Sequence, residues 1–593
     1  MPSLGHNGRL MTGAPDHSSV DPLERVTALL EPVFSELAGA PTDPVVRPSD
    51  HADAQVNGAL PLAKTLGRNP REVAQGIVDS GVLDGVCSSV EIAGPGFVNL
   101  VFSGGFLSEM ARRTAADERL GCAVTAAPRT VVVDYSAPNV AKEMHVGHLR
   151  STVIGDALVR LHEFSGDTVI RENHIGDWGR PFGMLIEHLL DLGEDVAAAG
   201  LGQGDLDDFY KQANAKFADS GEFQERSRAR VVALQGGDAE TGALWRRLVA
   251  MSTEYFNTVY DKLGVLLTDE DLAGESMYQP GMRATIDRLE TAGLMEESDG
   301  ARVVFPDGFT NREGEPLPLI IQARTGGFNY ATSDLTCVID RVERLGADLL
   351  LYVVGAPQQQ HLEMVFAVAR MAGWLPEGID AVHVAFGNVL GEDRKMLRSR
   401  SGDSVKLVDL LDEAVDRATA LVEEKNPELD DSERQAVAAA VGIGAVKYAD
   451  LSTDRVRDYV FDWDRMLSFD GNTAPYLQYA HARIRSIFRR AALDGDSVDP
   501  QTIEVVEPAE RALVLRVLAT PSVIADATES QAPHRLCTHL FDLAQTFTSF
   551  YEHCPVLKAD ERVRASRLAL CDLTARTLAN GLGLLGIDAP ERM

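Results

Sequence analysis

The hydrophobic positions nearest the N-terminus predict a small domain of helices and strands. Apolar side chains recur at helical spacing over residues 23–37. Residues 90–92 and 97–102 are apolar and flank a Gly-Pro-Gly sequence, which favours a turn between two strands. A stretch of small residues at 115–129 then predicts a linker, so we expect the first domain to span residues 22–124.

From residue 130 the pattern changes to buried strands that alternate with amphipathic helices. Residues 131–133 predict a strand, a helix with one apolar face begins near Gly147, and residues 168–170 predict the next strand. A strand–helix–strand unit of this kind implies a parallel sheet that binds its ligand at the carboxyl ends of the strands.

A second strand–helix series follows much later, with strands predicted at 319–322, 349–354 and 382–386. The intervening residues 187–302 are mostly helical and acidic, so we interpret them as an insertion between two halves of one sheet. Residues 125–407 are therefore expected to form an α/β Rossmann-type catalytic domain with a helical insertion.

After residue 407 the pattern is almost entirely helical. A Phe-Asp-Gly-Asn-Thr sequence at 469–473 marks a break, which separates a helical connecting region at 408–470 from a last all-α domain at 471–593. The sequence contains no internal repeat and no long low-complexity segment.

Composition narrows the class of protein. The chain of 593 residues carries 56 basic and 89 acidic side chains, a formal net charge of −33, which argues against a nonspecific nucleic-acid coat but permits a local basic patch. Residues 1–21 lack the apolar core of a signal peptide and are expected to form a flexible tail. No apolar run reaches the about 18 residues of a membrane helix. The six cysteines lack zinc-ligand spacing, so we expect thiols in a reducing cytoplasm and no structural metal.

The sharpest chemical feature is the segment 138–148, which lies between a predicted strand and a predicted helix. His145 and His148 stand at the helix start, where backbone N–H groups and the helix dipole favour an anion, so both imidazoles can donate to a phosphate. Gly147 would let a flat base lie close to the backbone. A lone His-x-x-His is more often a pair of surface histidines, but this setting, with Lys142 just upstream, favours nucleotide chemistry.

This segment resembles the HIGH signature of class I aminoacyl-tRNA synthetases, and residues 134–152 resemble the arginyl-tRNA synthetases in particular. The match continues at 171–179 and extends to the last residue. The resemblance implies ATP-dependent ligation of L-arginine to tRNA(Arg) through an arginyl-adenylate. His145 and His148 would be catalytic and, with Gly147, would bind ATP, and Mg²⁺ would arrive with the ATP.

An arginine-binding pocket is expected around Tyr330 and Asp334, which are four residues apart and therefore share one face of a predicted helix. A planar guanidinium is best bound by a carboxylate and an aromatic or phenolic partner. The resemblance implies that Gln358 adds an acceptor and that Asp134 and Asn139 hold the α-amino and α-carboxylate groups. For Asp334 alone, an acid that stabilises a helix N-terminus is the alternative.

The second class I signature departs from its usual form. Residues 391–402 stand where the family has Lys-Met-Ser-Lys, whose lysines neutralise the leaving pyrophosphate. Lys395, Arg398 and Arg400 are the candidates for this role, and their individual contributions stay open. In arginyl enzymes that lack the standard lysine, one before the first signature is thought to substitute, and Lys142 has that position. A bare charge cluster would more often be a solvated turn.

Contacts with tRNA are also implied by the resemblance. Residues 94–99 resemble a turn of the family's N-terminal domain in which an aromatic residue and an amide bind a D-loop base. Phe97 and Asn99 would share one face of the strand, and stacking plus an amide suits an unpaired base. An ordinary hairpin with a core phenylalanine is the alternative. Residues 471–593 would bind the anticodon.

Three other functions compete with this interpretation. A small-substrate nucleotidyltransferase would not need the additional domains, and an inactive paralogue would not need His145, His148, Asn139, Tyr330 and Asp334 together. A specialised paralogue that confers resistance or supplies arginyl-tRNA to a biosynthetic pathway would keep the same chemistry, and the sequence leaves it open. We expect a cytoplasmic monomer without a membrane partner.

Overall fold

A computed structural model describes residues 20–49, 51–193, 206–324, 326–397, 405–491 and 498–593. Residues 1–19 of the predicted tail lie outside these ranges, but the tail prediction is wrong for its last two residues. Val20 is buried, and the Asp21 carboxylate caps the first helix by accepting from the backbone N–H of Leu23 at 2.7 Å. The cap satisfies a backbone donor that would otherwise lack a partner, so the folded chain includes it.

The N-terminal domain packs helices against an antiparallel sheet, and the hairpin predicted around the Gly-Pro-Gly sequence is confirmed. The helices are α1 (Pro22–Ala38), α2 (Ala59–Leu66), α3 (Pro70–Asp79) and α4 (Gly104–Ala116). The strands are β1 (Val46–Arg47), β2 (Ala54–Val56), β3 (Cys87–Ala93) and β4 (Phe97–Phe102), in the order β1-β2-β4-β3.

The central part of the chain is an α/β domain, as predicted. Its strands are β5 (Thr130–Asp134), β6 (Thr168–Glu172), β7 (Glu296–Ser298), β8 (Ala301–Val304), β9 (Leu319–Gln322), β10 (Leu349–Tyr352), β11 (Asp380–His383) and β12 (Val389–Leu390). Its helices are α5 (Val146–Ser165), α6 (Pro181–Leu192), α7 (Leu206–Asp219), α8 (Gly221–Gln235), α9 (Ala239–Leu263), α10 (Glu275–Thr291), α11 (Tyr330–Glu343) and α12 (Gln359–Met371).

The main sheet has the order β11-β10-β5-β6, and every pair in it is parallel. The prediction that residues 319–322 belong to this sheet is wrong. That strand, β9, pairs antiparallel with β8 in a separate sheet of order β7-β8-β9. The end of the predicted helical insertion thus forms strands, and they escaped the sequence analysis because β7 is short and polar.

The rest of the chain is almost entirely helical, as predicted. Strand β13 (Tyr459–Val460) pairs with β12 and joins this part to the α/β domain. The helices are α13 (Leu407–Lys425), α14 (Asp431–Leu451), α15 (Trp463–Met466), α16 (Ala474–Ala491), α17 (Pro508–Leu518), α18 (Thr520–Glu529), α19 (Pro533–His553) and α20 (Glu561–Leu584).

Helix α5 crosses the main sheet closely enough to require a glycine. A Cβ added to Gly155 would lie 2.3 Å from the Cβ of Tyr135, the residue that follows β5. Tyr135 is fully buried, so it has no room to move away. This contact fixes the start of α5, and with it the loop between β5 and α5, relative to the sheet.

Gly155→Ala should therefore destabilise the protein by about 1–3 kcal/mol or more, the usual cost of overpacking. The control is Gly76→Ala in α3, where nothing lies within 4 Å of an added Cβ. That change should be neutral or stabilising by about 0.5–1 kcal/mol because alanine is the better helix former. Urea denaturation followed by circular dichroism measures both. Equal midpoints for the two variants would contradict the packing argument.

Candidate active site

A buried arginine ties together the carboxyl ends of three neighbouring strands. Asp134, Glu172 and Tyr352 end β5, β6 and β10 and are paired in register. The guanidinium of Arg341, from α11, donates to Asp134 Oδ2 at 2.7 Å and to Glu172 Oε2 at 2.6 Å, and it lies 4.7 Å from the centre of the Tyr352 ring. One carboxylate oxygen of Asp134 is therefore already engaged within the protein.

The loop after β5 adopts a strained backbone that neighbouring side chains stabilise. Ser136 has φ 73° and Ala137 has φ 50°, values that non-glycine residues rarely adopt and that cost about 1–3 kcal/mol each. The hydroxyls of Ser136 and Tyr260 lie 2.8 Å apart. Asn173 donates to the same Tyr260 oxygen at 2.9 Å and accepts from the backbone N–H of Ala137 at 3.0 Å. Because Tyr260 belongs to α9, the insertion supports this loop.

Further along the loop, Asn139 lies where this loop approaches the chain segment at Gly176. A Cβ added to Gly176 would lie 2.3 Å from Asn139 Oδ1, so the glycine lets the Asn139 side chain keep this position. Ala141 has φ 60°, and its N–H donates to Ser252 Oγ of α9 at 2.9 Å. The Asn139 side chain is exposed at the edge of a cavity of about 330 Å³.

His145 and His148 both have Nδ1 as a hydrogen-bond acceptor. The N–H of Gly147 donates to His145 Nδ1 at 3.0 Å, and the N–H of His145 donates to His148 Nδ1 at 3.1 Å. Each neutral ring must then carry its proton on Nε2. Burial lowers the pKa of His145 and lowers that of His148 to about 3. The two rings, whose centres are 4.1 Å apart, are therefore neutral N–H donors at physiological pH.

Gly147 has a structural role that the sequence analysis did not foresee. A Cβ at this position would lie 2.7 Å from the His145 ring. Gly147 is thus needed for the imidazole to fold back and cap α5, whether or not a base approaches the backbone. The same geometry explains why the His-x-Gly-His spacing occurs at the beginning of a helix.

The cavity beside the histidines is lined by three lysines and two carboxylates. Its lining contains Asn139, Lys142, Glu143, Met144, His145, His148, Asp207, Tyr210, Lys211 and Lys406. The exposed Lys142 ammonium lies 4.5 Å from the centre of the Tyr210 ring. Lys211 and Lys406 were missed by sequence reasoning because they come from α7 and from the residue before α13, far from the histidines in the chain.

Glu143 connects the loop between β5 and α5 to the start of α13. Its buried carboxylate lies 2.8 and 3.0 Å from the Lys406 ammonium. Backbone hydrogen bonds support the contact, since the N–H of Val146 donates to Val405 O at 3.0 Å and that of Leu407 donates to Met144 O at 2.8 Å. The first signature is therefore attached to the residues that directly follow the second.

The second signature is only partly described. Arg398 and Arg400 lie outside the described residues. Lys395 is described, and its side chain is 83% exposed with its ammonium 3.9 Å from Asp393. The structure thus provides the position of Lys395 but brings it into no contact with the histidines.

Tyr330 and Asp334 occupy the first turns of α11, as predicted. Tyr330 is 73% exposed. Asp334 accepts from His361 Nε2 at 2.5 Å, and this hydrogen bond raises the pKa of His361 above its ordinary value. Gln358 is exposed in a 3₁₀ turn just before α12. The Asp334 carboxylate therefore already has the His361 side chain as a partner within the protein.

Glu275 is a carboxylate of this region that the sequence analysis missed. Burial, together with the nearby charges of Asp177 and Asp334, raises its pKa to about 7. Asp177 itself accepts from the N–H of Ser276 at 2.8 Å, and burial raises its pKa too. The region therefore has more negative charge than its own cations neutralise. Glu275 begins a helix, so in the sequence it looks like an ordinary N-terminal acid.

Phe97 and Asn99 lie on the outward face of β4, where the strand alternates with buried Val98 and Leu100. Phe97 is half-buried and is not a core residue, so the hairpin alternative with a core phenylalanine is wrong. Asn99 Oδ1 accepts from Gln55 Nε2 at 2.7 Å.

Membrane spans and metal clusters are both absent from the described ranges. No helix in them is long and apolar enough to cross a membrane. Likewise, these ranges contain no group of three or more His, Cys, Asp or Glu side chains that could hold a metal ion.

Comparisons with known proteins identify the family. Residues 113–463 match the family described as tRNA synthetases class I (R), catalytic domain. Residues 24–102 match the arginyl tRNA synthetase N terminal domain, and residues 477–593 match the DALR anticodon binding domain.

Individual relatives resemble almost the whole chain. An arginine–tRNA ligase of Thermobifida fusca is 56% identical over 93% of this chain and 96% of its own, and one of Frankia casuarinae is 49% identical over 98% and 100%. The arginyl-tRNA synthetase structures of Plasmodium falciparum and Thermus thermophilus superpose with TM-scores of 0.82 and 0.80, at 26% and 27% identity. They cover 96% of this chain each, and 99% and 100% of their own. The chain therefore belongs to the arginyl-tRNA synthetase family.

Proposed function

We propose that this chain activates L-arginine with ATP and transfers it through an arginyl-adenylate to tRNA(Arg). The observation that carries the proposal is the cavity in which His145, His148 and Lys142 meet, at the carboxyl edge of a parallel sheet. Neutral imidazole N–H groups and a lysine suit a reaction in which negative charge grows on phosphate oxygens. Nothing in the fold or the comparisons favours a specialised paralogue.

The arginine side chain would bind between Tyr330 and Asp334. Burial is the main cause that raises the pKa of Glu275 to about 7, and repulsion from the Asp177 and Asp334 carboxylates adds to it. A guanidinium would relieve this repulsion, because it is a permanent cation with five donors. Gln358 would accept a further hydrogen bond.

The α-amino and α-carboxylate groups of arginine would bind at Asp134 and Asn139. Asp134 has one carboxylate oxygen engaged by Arg341, so the amino group would use the other. The Asn139 amide is exposed at the cavity and comes from the strained loop that precedes the histidines. Both groups would thus orient the substrate carboxylate toward the α-phosphate of ATP.

ATP would bind along His145, Gly147 and His148, with Mg²⁺ delivered on its phosphates and not held by a site of the protein. Lys142 would neutralise the leaving pyrophosphate, with Lys395, Arg398 and Arg400 contributing charge from the second signature. Because lowered pKa values keep both histidines neutral, their hydrogen bonds to ATP should not depend on a change of protonation near neutral pH.

The remaining domains would bind tRNA. In the N-terminal domain at 22–124, Phe97 would stack on a base and Asn99 would read its edge. The connecting region at 408–470 would contact the stem, and the helical domain at 471–593 would bind the anticodon. We propose that the enzyme acts as a monomer in the cytoplasm, which sedimentation and cell fractionation can test.

ATP–pyrophosphate exchange with each of the amino acids, with and without tRNA(Arg), tests the proposed function. Of all the amino acids, only arginine should support exchange. Aminoacylation should label tRNA(Arg) and no other tRNA. Exchange with another amino acid, or none with any, would contradict the proposal.

Asp334→Asn should keep the fold but weaken arginine binding, because a charge-assisted pair is lost. The kcat/KM for arginine should fall by an amount that corresponds to about 2–5 kcal/mol of lost binding free energy. Asp340→Asn, in the same helix, is the matched control, since Asp340 only pairs with Arg344 at the surface. Unchanged arginine kinetics for Asp334→Asn would remove this residue from the pocket.

The KM for arginine should fall as the pH rises through 7. The pKa of Glu275 is about 7, so its carboxylate ionises in this window and gains attraction for the guanidinium. Asp334 raises the pKa of His361, so the protonated His361 competes with arginine for that carboxylate and stops competing once it loses its proton as the pH rises. The His361–Asp334 pair stabilises the fold fully below the ordinary pKa of histidine. This stabilisation is lost as the pH rises through the raised pKa of His361.

Two variants separate these contributions in steady-state kinetics against pH. Glu275→Gln should remove the part of the pH dependence centred near 7, and His361→Gln should remove the part that remains. A KM for arginine that does not change between pH 6 and pH 8 would refute the assignment of both groups.

Lys142→Ala should lower kcat for aminoacylation by about 10²–10³-fold, the scale of losing one stabiliser of transition-state charge. The KM for ATP should change much less, because such a contact contributes little to ground-state binding. Arg398→Ala should be the milder of the two. If Lys142→Ala behaves like wild type while Arg398→Ala is inactive, the second signature supplies the charge and the assignment of Lys142 fails.

A further inference from the structure

The helical insertion contacts the lysine that stands before the first signature. The Lys142 ammonium lies 4.5 Å from the centre of the Tyr210 ring, on α7. This is well inside the about 6 Å over which a cation is attracted to the face of an aromatic ring. Tyr210 is half-buried and lines the same cavity as the histidines.

Helix α7 is attached to the loop beside this contact. Asp207 Oδ1 accepts from the backbone N–H of Glu143 at 3.1 Å, and Asp207 is one helical turn from Tyr210. Leu206 and Phe209 are buried, so the first turn of the helix is anchored in the domain. The ring is therefore held at a fixed place relative to Lys142.

An aromatic ring holds a lysine in a different way from a carboxylate. The two acidic side chains that line the cavity have other partners, since Glu143 pairs with Lys406 and Asp207 accepts from a backbone N–H. A carboxylate would neutralise the Lys142 ammonium, whereas a ring orients it and leaves its full charge available to an anion. A lysine that must stabilise a growing phosphate charge needs this second arrangement.

We propose that Tyr210 is a positioning residue that holds the Lys142 ammonium toward the phosphates of ATP, so that helix α7 of the insertion takes part in amino-acid activation. The proposal rests on the proposed function and on the role assigned there to Lys142. It adds that the insertion sets the position of this charge before ATP binds.

A double-mutant cycle tests the proposal on the full-length chain. Tyr210→Leu, Tyr210→Phe and the control Phe217→Leu are made with Lys142 intact and with Lys142→Ala. Phe217 lies two turns further along α7, on the same face, and is outside the cavity lining. The readouts are kcat and the KM for ATP in ATP–pyrophosphate exchange with arginine and tRNA(Arg).

With Lys142 intact, Tyr210→Leu should lower kcat by about 3- to 30-fold, the range that cation–π contacts span. The KM for ATP should change little, and Tyr210→Phe should restore most of the rate because it keeps the ring. Phe217→Leu should behave like wild type. With Lys142→Ala, Tyr210→Leu should have no further effect, because the group that it positions is gone.

Two results would overturn the proposal. If Tyr210→Leu lowers the rate by the same factor in both backgrounds, or no more than Phe217→Leu does, Tyr210 does not act through Lys142. If Lys142→Ala itself keeps the wild-type rate, the charge assignment in the proposed function fails, and the role of Tyr210 fails with it. The single Lys142→Ala variant therefore distinguishes the two failures.

Discussion

The buried guanidinium of Arg341 is the contact on which the rest of the site depends. Asp134 and Glu172 end adjacent parallel strands, so without a cation between them two buried carboxylates would face each other. Leaving a buried charge unpaired costs about 3–5 kcal/mol. Arg341 donates to both carboxylates and packs on the Tyr352 ring, so one guanidinium contacts the ends of three strands. The loop that carries Asn139 and leads to His145 and His148 starts from the end of β5.

The insertion is the second support of the site. The strained backbone at Ser136 and Ala141 is stabilised by Tyr260 and Ser252, both from α9. Such strain persists only where the surroundings impose it. From helix α7, Asp207 accepts a hydrogen bond from the backbone N–H of Glu143 in the same loop. The insertion interrupts the sheet in sequence, but in space it completes the pocket that the first strand–helix unit begins.

The sequence predicted those features that have a local signal. Buried strands, the histidines at the start of α5 and the shared face of Tyr330 and Asp334 all follow from spacing along one element. The sequence analysis missed Arg341, Glu275 and the β7–β8 hairpin because none of them has a local signal of this kind. Each depends on contacts between distant parts of the chain or on a short polar strand, and hydrophobic periodicity reports only which face of an element is buried.

The electrostatics of the two pockets are opposite, and each is suited to its ligand before the ligand arrives. Around Glu275, burial and, to a smaller extent, the charges of Asp177 and Asp334 raise its pKa to about 7, so ionising this carboxylate costs free energy that a bound guanidinium would offset. Around His148, desolvation lowers the pKa to about 3, which keeps the imidazoles as neutral donors beside the lysines. A chain of net charge −33 can therefore bind a polyphosphate, because local placement of donors and lysines, and not total charge, sets the field in the cavity.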